Sequence, residues 1–411
     1  MELREGREVG EGKRPLRNLR VLRATIFSNL LCGLAEPHTA DVPPASPHLL
    51  KAKSVSLDGR TFEIFWNDQP EDRAWDDFVL AQPDANHEQT SLWGGVRATL
   101  GWAVVRAVLT ERGKIIGGAQ MQLRTMKRLG KWAYITFGPV VAGDDATVGK
   151  ILLAELKIFL RRERALYLLA QLPYAAHGFG ERLLADGFIK APLALAPSNM
   201  KATLLLDLAK SEEQLLAEMH AKTRQQIRQG LKRGLVVERG GAADVDEFWK
   251  LMCALCARRN TTPNPASLEF FQKLWEIFSP RGWMQIFVVK HEGKTIAATV
   301  MFSFGGWFRS WKIGWNGEHA ELRPNQLLHW EMIRAAKQQG CRYFDFVNIE
   351  PGEVAGPTEF KLGFGGEVKT LPGVYCYFVN PLVRAVMRGG LAKLLDSERG
   401  VTLARWLARG R

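Results

Sequence analysis

The sequence lacks the features that define several common protein classes. Its 411 residues contain no apolar run of the ~20 residues that a bilayer-spanning helix needs. The five cysteines are scattered and odd in number, so they predict no disulfide framework and favour a reducing compartment. None of the eight histidines forms an H-x-x-x-H pair, and no G-x-S-x-G motif occurs. The sequence therefore carries no signature of a membrane-spanning protein, a disulfide-rich protein, or a zinc or serine hydrolase.

One pair of cysteines, Cys253 and Cys256, forms a C-x-x-C arrangement. It lies inside an apolar segment with helical spacing, residues 245–257, without a second pair or a histidine at ligand spacing. A redox C-x-x-C would need a helix N-terminus to lower the thiol pKa. We therefore predict that the pair packs in the core, and we expect no bound metal.

What the sequence does contain is a large apolar fraction and an excess of positive charge. Hydrophobic residues make up 46% of the chain, which suffices for a sizeable core. A domain usually comprises ~100–200 residues, so this length predicts two domains. The formal net charge of +13 favours an anionic partner.

Residues 1–57 differ in composition from the rest, and we predict a disordered or tail segment there. A stretch rich in glutamate, arginine and glycine precedes a short apolar stretch and a proline-containing loop. A signal peptide is the alternative. Four glutamates near the start and polar residues within the apolar stretch disfavour it.

Two segments of the remaining chain repeat each other. Residues 112–121 read R-G-K-I-I-G-G-A-Q-M, and residues 292–301 read E-G-K-T-I-A-A-T-V-M. Each predicts a hairpin turn running into a strand, followed by a second strand, a helix and a further strand. The shared order indicates a duplication. We predict an α/β (α+β layered) protein with two tandem domains, residues 58–200 and 201–367, each a mixed, mostly antiparallel sheet flanked by helices.

This order of elements resembles the GNAT acyltransferase fold. In acyl-CoA members of that fold, a glycine-rich loop before the helix holds the pyrophosphate with backbone N–H groups. The corresponding loops here are residues 315–325, with one glycine and two glutamates, and the acidic segment at residues 143–145. Neither resembles a CoA site, so we expect an acyl donor other than a CoA thioester.

A strongly basic segment, residues 222–233, reads K-T-R-Q-Q-I-R-Q-G-L-K-R. Upstream, Ser211 and Gln214 form a predicted capping box that starts the helix leading into it. Arg224, Arg228 and a lysine beyond them follow at a spacing of four, where like charges repel. A polyanion such as RNA, a diphosphate or a lipid head group would relieve this repulsion. A solvated basic face is the alternative.

Four segments together resemble the Fem (FemABX) family of peptidoglycan aminoacyltransferases. They are residues 89–102 (Q-T-S-L-W-G-G-V-R-A-T-L-G-W), 222–234, 324–346 (beginning P-N-Q-L-L-H-W-E) and 360–366 (F-K-L-G-F-G-G), in the family's order. The resemblance implies two GNAT-like domains, with residues 368–411 completing the first. It implies transfer of an amino acid from aminoacyl-tRNA, the co-substrate, to the peptide stem of a UDP-linked or lipid-linked muropeptide, without another cofactor.

The resemblance also implies the site residues. Lys361 is expected to stabilise the charge that develops on the reacting ester. Arg224 is expected to grip the diphosphate of the precursor, with Arg228 sharing it one turn on. Arg97 stands where the family often has a lysine that binds the same diphosphate, and arginine keeps the charge but changes its geometry. Phe360, in the same motif as Lys361, is expected to bind substrate.

One expected feature of the family is missing. Its members often carry an acidic residue just before a proline at the end of a first-domain strand, proposed to assist deprotonation of the amine. Here Leu172 precedes Pro173, and Gln171 cannot accept a proton. Either the amine enters neutral, another acid serves, or the chemistry differs. Asp345, in the Y-F-D-F segment, is expected to be structural.

The C-terminal residues carry two basic amphipathic stretches, whose charges are Arg384, Arg388, Lys393, Arg405, Arg409 and Arg411. They are expected to fold back on the first domain or to contact the inner membrane surface through Trp406. We expect a cytoplasmic monomer. The alternative functions are a GNAT-fold N-acyltransferase with another acyl donor and a non-catalytic basic RNA-binding protein.

Overall fold

A computed structural model describes residues 52–126, 130–192, 195–196, 200–350 and 356–391. Two mixed β-sheets flanked by helices lie within these residues, which confirms the predicted fold class. Most of the predicted tail lies outside the described residues, as do Trp406 and the basic residues after Arg388. Residues 53–57, which the predicted tail includes, form the first strand of the first sheet.

The described strands are β1 (Lys53–Leu57), β2 (Arg60–Asn67), β3 (Ala103–Glu111), β4 (Lys114–Met126), β5 (Gly130–Ile135), β6 (Val140–Val141), β7 (Ala165–Gln171), β8 (Ile189–Lys190), β9 (Ala202–Asp207), β10 (Val236–Arg239), β11 (Met284–His291), β12 (Lys294–Phe304), β13 (Trp307–Trp315), β14 (Tyr343–Asp345), β15 (Glu367–Thr370) and β16 (Val374–Phe378). The first sheet has the order β1-β2-β3-β4-β5-β7-β16-β8, with β6 paired to β4. The second sheet has the order β10-β11-β12-β13-β14-β9-β15.

The described α-helices are α1 (Arg73–Leu80), α2 (Ser91–Ala98), α3 (Ala146–Arg162), α4 (His177–Ala185), α5 (Glu212–Glu218), α6 (Ala221–Lys232), α7 (Asp244–Arg258), α8 (Leu268–Phe278), α9 (Pro324–Gln338), α10 (Pro357–Leu362) and α11 (Pro381–Val386). None of the helices in the described ranges is both long enough and apolar enough to cross a membrane.

The repeated segments form the same hairpin in both sheets. Arg112 and Gly113 have φ values of 50° and 75°, and Glu292 and Gly293 have 49° and 77°. Positive φ at both central residues is the conformation of a type I′ turn, which matches the twist of the flanking strands. The register also shifts at equivalent places, after Leu109 and after Val289. The local backbone is thus duplicated in detail.

The two sheets obtain one equivalent strand from different parts of the chain. In both, a parallel pair follows the hairpin: β5 with β7, and β13 with β14. An antiparallel neighbour then extends each pair. In the first sheet it is β16, close to the C-terminal end of the described chain, and in the second it is β9, which precedes its sheet. The C-terminal part of the chain therefore contributes a strand to the first sheet.

The two sheets are joined by an apolar and aromatic interface. The ring of His87, from the first half, stacks on Phe302 of β12 with centroids 3.5 Å apart. Trp93 of α2 meets Trp311 of β13 edge-on at 5.9 Å. Trp93, Phe302 and Trp311 are buried or partly buried in one cluster with residues of α7 and α8, so hydrophobic burial holds the two halves together.

Two further predictions concern α7 and the C-terminal segment. Cys253 and Cys256 lie in the second half of α7, away from its N-terminus, which disfavours a redox role. Both are partly buried, and the predicted core packing is seen for Cys256, which packs against the aromatic cluster, but not for Cys253. Arg384 of α11 donates to the Phe378 carbonyl at 2.7 Å and lies 4.7 Å from the Tyr377 ring. The described end of the chain therefore folds back on the first sheet.

Candidate functional site

The carboxyl ends of the two parallel strand pairs meet between the sheets. Tyr174 follows β7, and Asp345 is the last residue of β14. The Tyr174 hydroxyl donates to Asp345 Oδ2 at 2.8 Å. Ligands of open α/β sheets bind outside the carboxyl ends of the strands, so this junction is the candidate ligand-binding site.

Asp345 is fully buried, and its charge is compensated on several sides. It accepts hydrogen bonds from the Thr203 hydroxyl and from the Val347 N–H, the latter at 2.8 Å. The Arg309 Nε lies 3.5 Å from Oδ2. A carboxylate so occupied is a poor proton acceptor, and these contacts agree with the structural role expected for it.

Lys361 lies on α10 and reaches this junction. Its ammonium group donates to the Val347 carbonyl and, at 2.7 Å, to the Asn348 carbonyl. Both acceptors have left-handed backbones, with φ of 52° and 50°. Such a conformation is strained for a β-branched valine, and it turns successive carbonyls toward the lysine. Burial lowers the pKa of Lys361 to about 8, although the Asp345 and Glu350 charges oppose this shift.

The predicted basic helix is two helices. The capping box of Ser211 and Gln214 is confirmed at the start of α5, but α5 ends at Glu218 and α6 begins at Ala221. At the break, the His220 N–H donates to the Gly363 carbonyl at 2.9 Å. The single-helix prediction was wrong because this tertiary hydrogen bond replaces the continuation of the helix.

The glycines of the F-K-L-G-F-G-G segment allow this segment to lie close to the break between α5 and α6. A Cβ atom on Gly365, whose φ is +75°, would lie 2.7 Å from the Glu218 carbonyl oxygen. A Cβ atom on Gly363 would lie 2.5 Å from the Thr223 hydroxyl. Glycines in such a segment can allow the close approach of a ligand. In the structure they allow close approach of the α5–α6 backbone, so the two sequence motifs are in direct contact.

Arg224 lies at this break. Its Nη1 donates to the carbonyls of Leu216, at 3.3 Å, and Met219. These carbonyls are at the C-terminal end of α5, where a cation is favoured by unpaired acceptors and the helix dipole. Arg228 is exposed one turn further on. The structure thus orients Arg224 by its own chain, and diphosphate binding by the two arginines stays a prediction.

The other two predicted residues have defined neighbours. The Phe360 ring lies 5.0 Å from the ring of His329 and 5.4 Å from that of Phe364, at the edge of the second core. Arg97 of α2 points toward the first sheet: its Nε donates to Gln122 Oε1 at 2.7 Å, and its guanidinium stacks over Trp102 at 4.7 Å. These two contacts of Arg97 lie in the first half, and the carbonyl contacts of Arg224 lie in the second.

The charged residues that connect the two halves were not predicted from the sequence. Arg309 of β13 is 4% exposed, and it donates from Nη1 to the Ala85 carbonyl at 2.9 Å while lying beside Asp345. Glu88, in the short helical turn before α2, is partly exposed. The positive charges of Arg97 and Arg309 act to lower the pKa of its carboxyl. An arginine inside the aromatic strand W-F-R-S-W was a signal that could have been noticed, since buried charges require partners.

Two parts of the chain match models of known protein families. Residues 71–177 match the model of the FemAB family, and residues 218–362 match the model of the acetyltransferase (GNAT) domain. The chain is therefore similar to the FemAB family in its first half and to GNAT acetyltransferases in its second half. The FemAB match includes Glu88, Arg97 and Tyr174, and the GNAT match includes Arg309 and Lys361. The junction between the sheets is therefore built from both matched regions.

Among curated relatives, a lipid II:glycine glycyltransferase of Staphylococcus haemolyticus is 26% identical over 230 residues, which is 54% of each chain. The match thus spans about half the length of that relative. Among solved structures, FemX aligns with a TM-score of 0.67 at 18% identity, over 76% of this chain and 97% of that one. A tandem GNAT protein from the clavulanic acid biosynthesis pathway aligns at 0.50 and 15% identity, over 78% of this chain and 99% of that one. These likenesses support the fold of two GNAT-like domains.

In the described part of the chain, no group of three or more His, Cys, Asp or Glu residues is placed to hold a metal ion. The charged groups at the junction bind one another and protein carbonyls instead. The chemistry that these residues can perform is the binding of anions and the stabilisation of developing negative charge.

Proposed function

We propose that this protein transfers an amino acid from an aminoacyl-tRNA to an amine on the peptide stem of a lipid-linked peptidoglycan precursor. The observation that carries the proposal is the Lys361 ammonium, held by two carbonyls at the junction of two GNAT-like domains. The Staphylococcus relatives are lipid II:glycine glycyltransferases, and this similarity supports glycine as the amino acid and a lipid-linked acceptor.

The reaction needs positioning and charge stabilisation more than it needs a strong nucleophile. The ester of an aminoacyl-tRNA is already activated, so holding the amine beside it can supply much of the acceleration. When the amine attacks, negative charge develops on the carbonyl oxygen and then on the departing ribose oxygen. A fixed cation at that point is worth about 10²–10³ in rate in comparable sites.

Lys361 fits that role by its geometry. An ammonium group carries more donors than its two described carbonyl contacts use, so a donor remains for the substrate oxygen. With a pKa of about 8, the group is mostly protonated at pH 7. Because the two carbonyls hold the lysine in place, little reorganisation is needed when charge develops.

Arg224 and Arg228 are proposed to bind the diphosphate of the precursor. The carbonyl contacts of Arg224 use Nη1, and a guanidinium has further N–H groups that can bind phosphate. Arg228 is exposed one turn away and can approach the same anion. Anchoring one side of the Arg224 guanidinium reduces the entropy lost when the other side binds.

An acyl-CoA-dependent N-acyltransferase is the second candidate, because the second half matches a GNAT acetyltransferase domain. The loop before α9 argues against it. Its glycine, Gly317, is covered by Arg258, whose guanidinium occupies the space that a side chain would take. The Glu318 N–H donates to Asn316 Oδ1 at 3.0 Å, so this N–H is not available to a pyrophosphate.

The test is a transfer assay with labelled donors. Purified protein is incubated with [14C]glycyl-tRNA or [14C]acetyl-CoA and with a lipid-linked or a UDP-linked muropeptide. We expect label from glycyl-tRNA on the lipid-linked muropeptide. Label from acetyl-CoA alone would overturn the proposal, and label on the UDP-linked acceptor alone would correct the acceptor. Salt-sensitive RNA binding without any transfer would favour the RNA-binding alternative.

A further inference from the structure

A second polar cluster lies beside the junction, on the first-sheet side, and Glu88 is at its centre. The turn that carries Glu88 is fixed by its backbone: its N–H donates to Asn86 Oδ1 at 3.0 Å, and its carbonyl accepts from Gln120 Nε2 at 3.3 Å. The next residue, Gln89, donates from Nε2 to the Thr136 carbonyl at 2.6 Å. Thr136 directly follows β5, so the Glu88 turn is held at the carboxyl end of the parallel strands.

The Glu88 carboxyl faces groups from three elements. It forms a hydrogen bond with the Thr136 side chain, which also accepts from Gln122 Nε2 at 3.3 Å. The positive charges of Arg97, on α2, and of Arg309 and Lys312, on β13, act to lower the pKa of this carboxyl. From β5, the Tyr134 hydroxyl is close enough for the Glu88 charge to raise its pKa further above the normal value.

The position of Glu88 combines access with a low-polarity environment. The residue is partly exposed, yet desolvation by the surrounding protein raises the pKa of its carboxyl above 4.5 despite three nearby cations. A raised pKa makes a carboxylate a better proton acceptor near neutral pH.

Glu88 is also connected to the site that holds Lys361. Arg309 interacts electrostatically with Glu88, and its Nε lies 3.5 Å from Asp345, whose charge in turn acts on Lys361. Tyr134 donates to Gln171 Oε1 at 2.8 Å at the end of β7. Asp345 is saturated and Gln171 has no acidic group. Glu350, whose charge also acts on Lys361, is exposed to solvent, whereas Glu88 is partly buried and its pKa is raised. Among these carboxylates, Glu88 is therefore the one suited to accept a proton.

We propose that Glu88 accepts the proton of the attacking amine. This inference rests on the proposed aminoacyl transfer. The acceptor ammonium gives one proton to the Glu88 carboxylate and becomes a neutral amine. The amine nitrogen forms the C–N bond to the ester carbonyl and loses its second proton as the C–O bond to the ribose breaks. That oxygen takes up one proton to leave as a hydroxyl, and Glu88 returns its proton to water.

The experiment compares Glu88→Gln, Glu88→Asp and a matched control, Glu181→Gln, which changes an exposed glutamate of α4. With glycyl-tRNA and the lipid-linked muropeptide, we expect kcat of Glu88→Gln to fall by about 10²–10⁴ with little change in KM. The acidic limb of the kcat/KM–pH profile should disappear. Glu88→Asp should keep this limb with a smaller loss of rate, and Glu181→Gln should resemble the wild type.

A second acceptor separates proton transfer from a structural role. When the acceptor amine is replaced by a hydrazide, which is neutral at pH 7, Glu88→Gln should regain most of the wild-type rate. An equal loss of rate with both acceptors, or a wild-type rate and pH profile in Glu88→Gln, would overturn the role of Glu88 alone. Absence of transfer by the wild-type protein to any muropeptide would instead overturn the proposed function, and this proposal with it.

Discussion

The hydroxyl of Tyr174 donates a hydrogen bond of 2.8 Å to the buried carboxylate of Asp345. Tyr174 follows β7 and Asp345 ends β14, the equivalent strands of the two sheets, so this bond joins the duplicated units at the point where a substrate would have to bind both. Burial and the Asp345 charge raise the pKa of Tyr174 well above its ordinary value. The hydroxyl therefore remains a donor over the whole physiological range.

Tyr174→Phe should destabilise the protein by about 1–3 kcal/mol, because it removes a donor from a buried carboxylate. Urea unfolding measures this change. Tyr134→Phe removes a bond of the same length within the first sheet only, and it provides the comparison. An unchanged free energy of unfolding in Tyr174→Phe would show that the bond does not stabilise the junction.

Lys361→Ala should lower kcat by about 10²–10³ while the fold persists, because it removes the cation that stabilises developing charge. Circular dichroism and the transfer assay measure the two effects. Wild-type turnover in this variant would contradict the assignment. Lys369→Ala, at an exposed position of β15, is the matched control and should keep wild-type turnover.

The pH dependence of Lys361 has opposite signs for activity and stability. Because its pKa is lowered from 10.5 to about 8, its contribution to kcat should be lost as pH rises through 8. Between pH 8 and 10.5 the unfolded lysine binds more protons than the folded one, so its contribution to stability should increase with pH. Lys361→Met should abolish both trends. Their persistence in this variant would assign them to another group.

Gly365→Ala should cost more stability than Gly340→Ala. The two glycines have nearly equal φ values, +75° and +74°, so the backbone strain of an alanine, about 1–2 kcal/mol, should be similar. A Cβ atom on Gly365 would meet the Glu218 carbonyl at 2.7 Å, whereas one on Gly340 has no atom within 4 Å. Thermal unfolding should show about 1–3 kcal/mol of additional loss. Equal losses would exclude the close approach.

Arg224→Ala should weaken binding of the lipid-linked muropeptide by about 10–100-fold and reduce its salt dependence, since a charge-assisted hydrogen bond contributes about 1.5–3 kcal/mol. Lys232→Ala, exposed at the end of the same helix, is the control for a general loss of charge. Fluorescence titration at two salt concentrations measures both variants. An unchanged affinity in Arg224→Ala would rule out the diphosphate contact.

Local features of the structure were largely predictable. The type I′ turns follow from glycine at each hairpin, and the capping box from serine and glutamine three residues apart, since a few adjacent residues decide each of them. The break between α5 and α6 was not predictable, because Met219 and His220 have no helix-breaking side chains. The break depends on the hydrogen bond from His220 to Gly363, far along the chain.

The sequence by itself determined the duplication, the two-domain α/β fold class and the segments that resemble the Fem family. Each of these follows from hydrophobic periodicity, turn residues or motifs, which are patterns within short stretches of the chain. Only the tertiary structure decided that β16 completes the first sheet, that Arg97 and Arg224 have separate surroundings, and that Glu88 lies near Arg309. Such relationships depend on which distant backbone edges pair and which charges become desolvated together, and neither is encoded in local spacing.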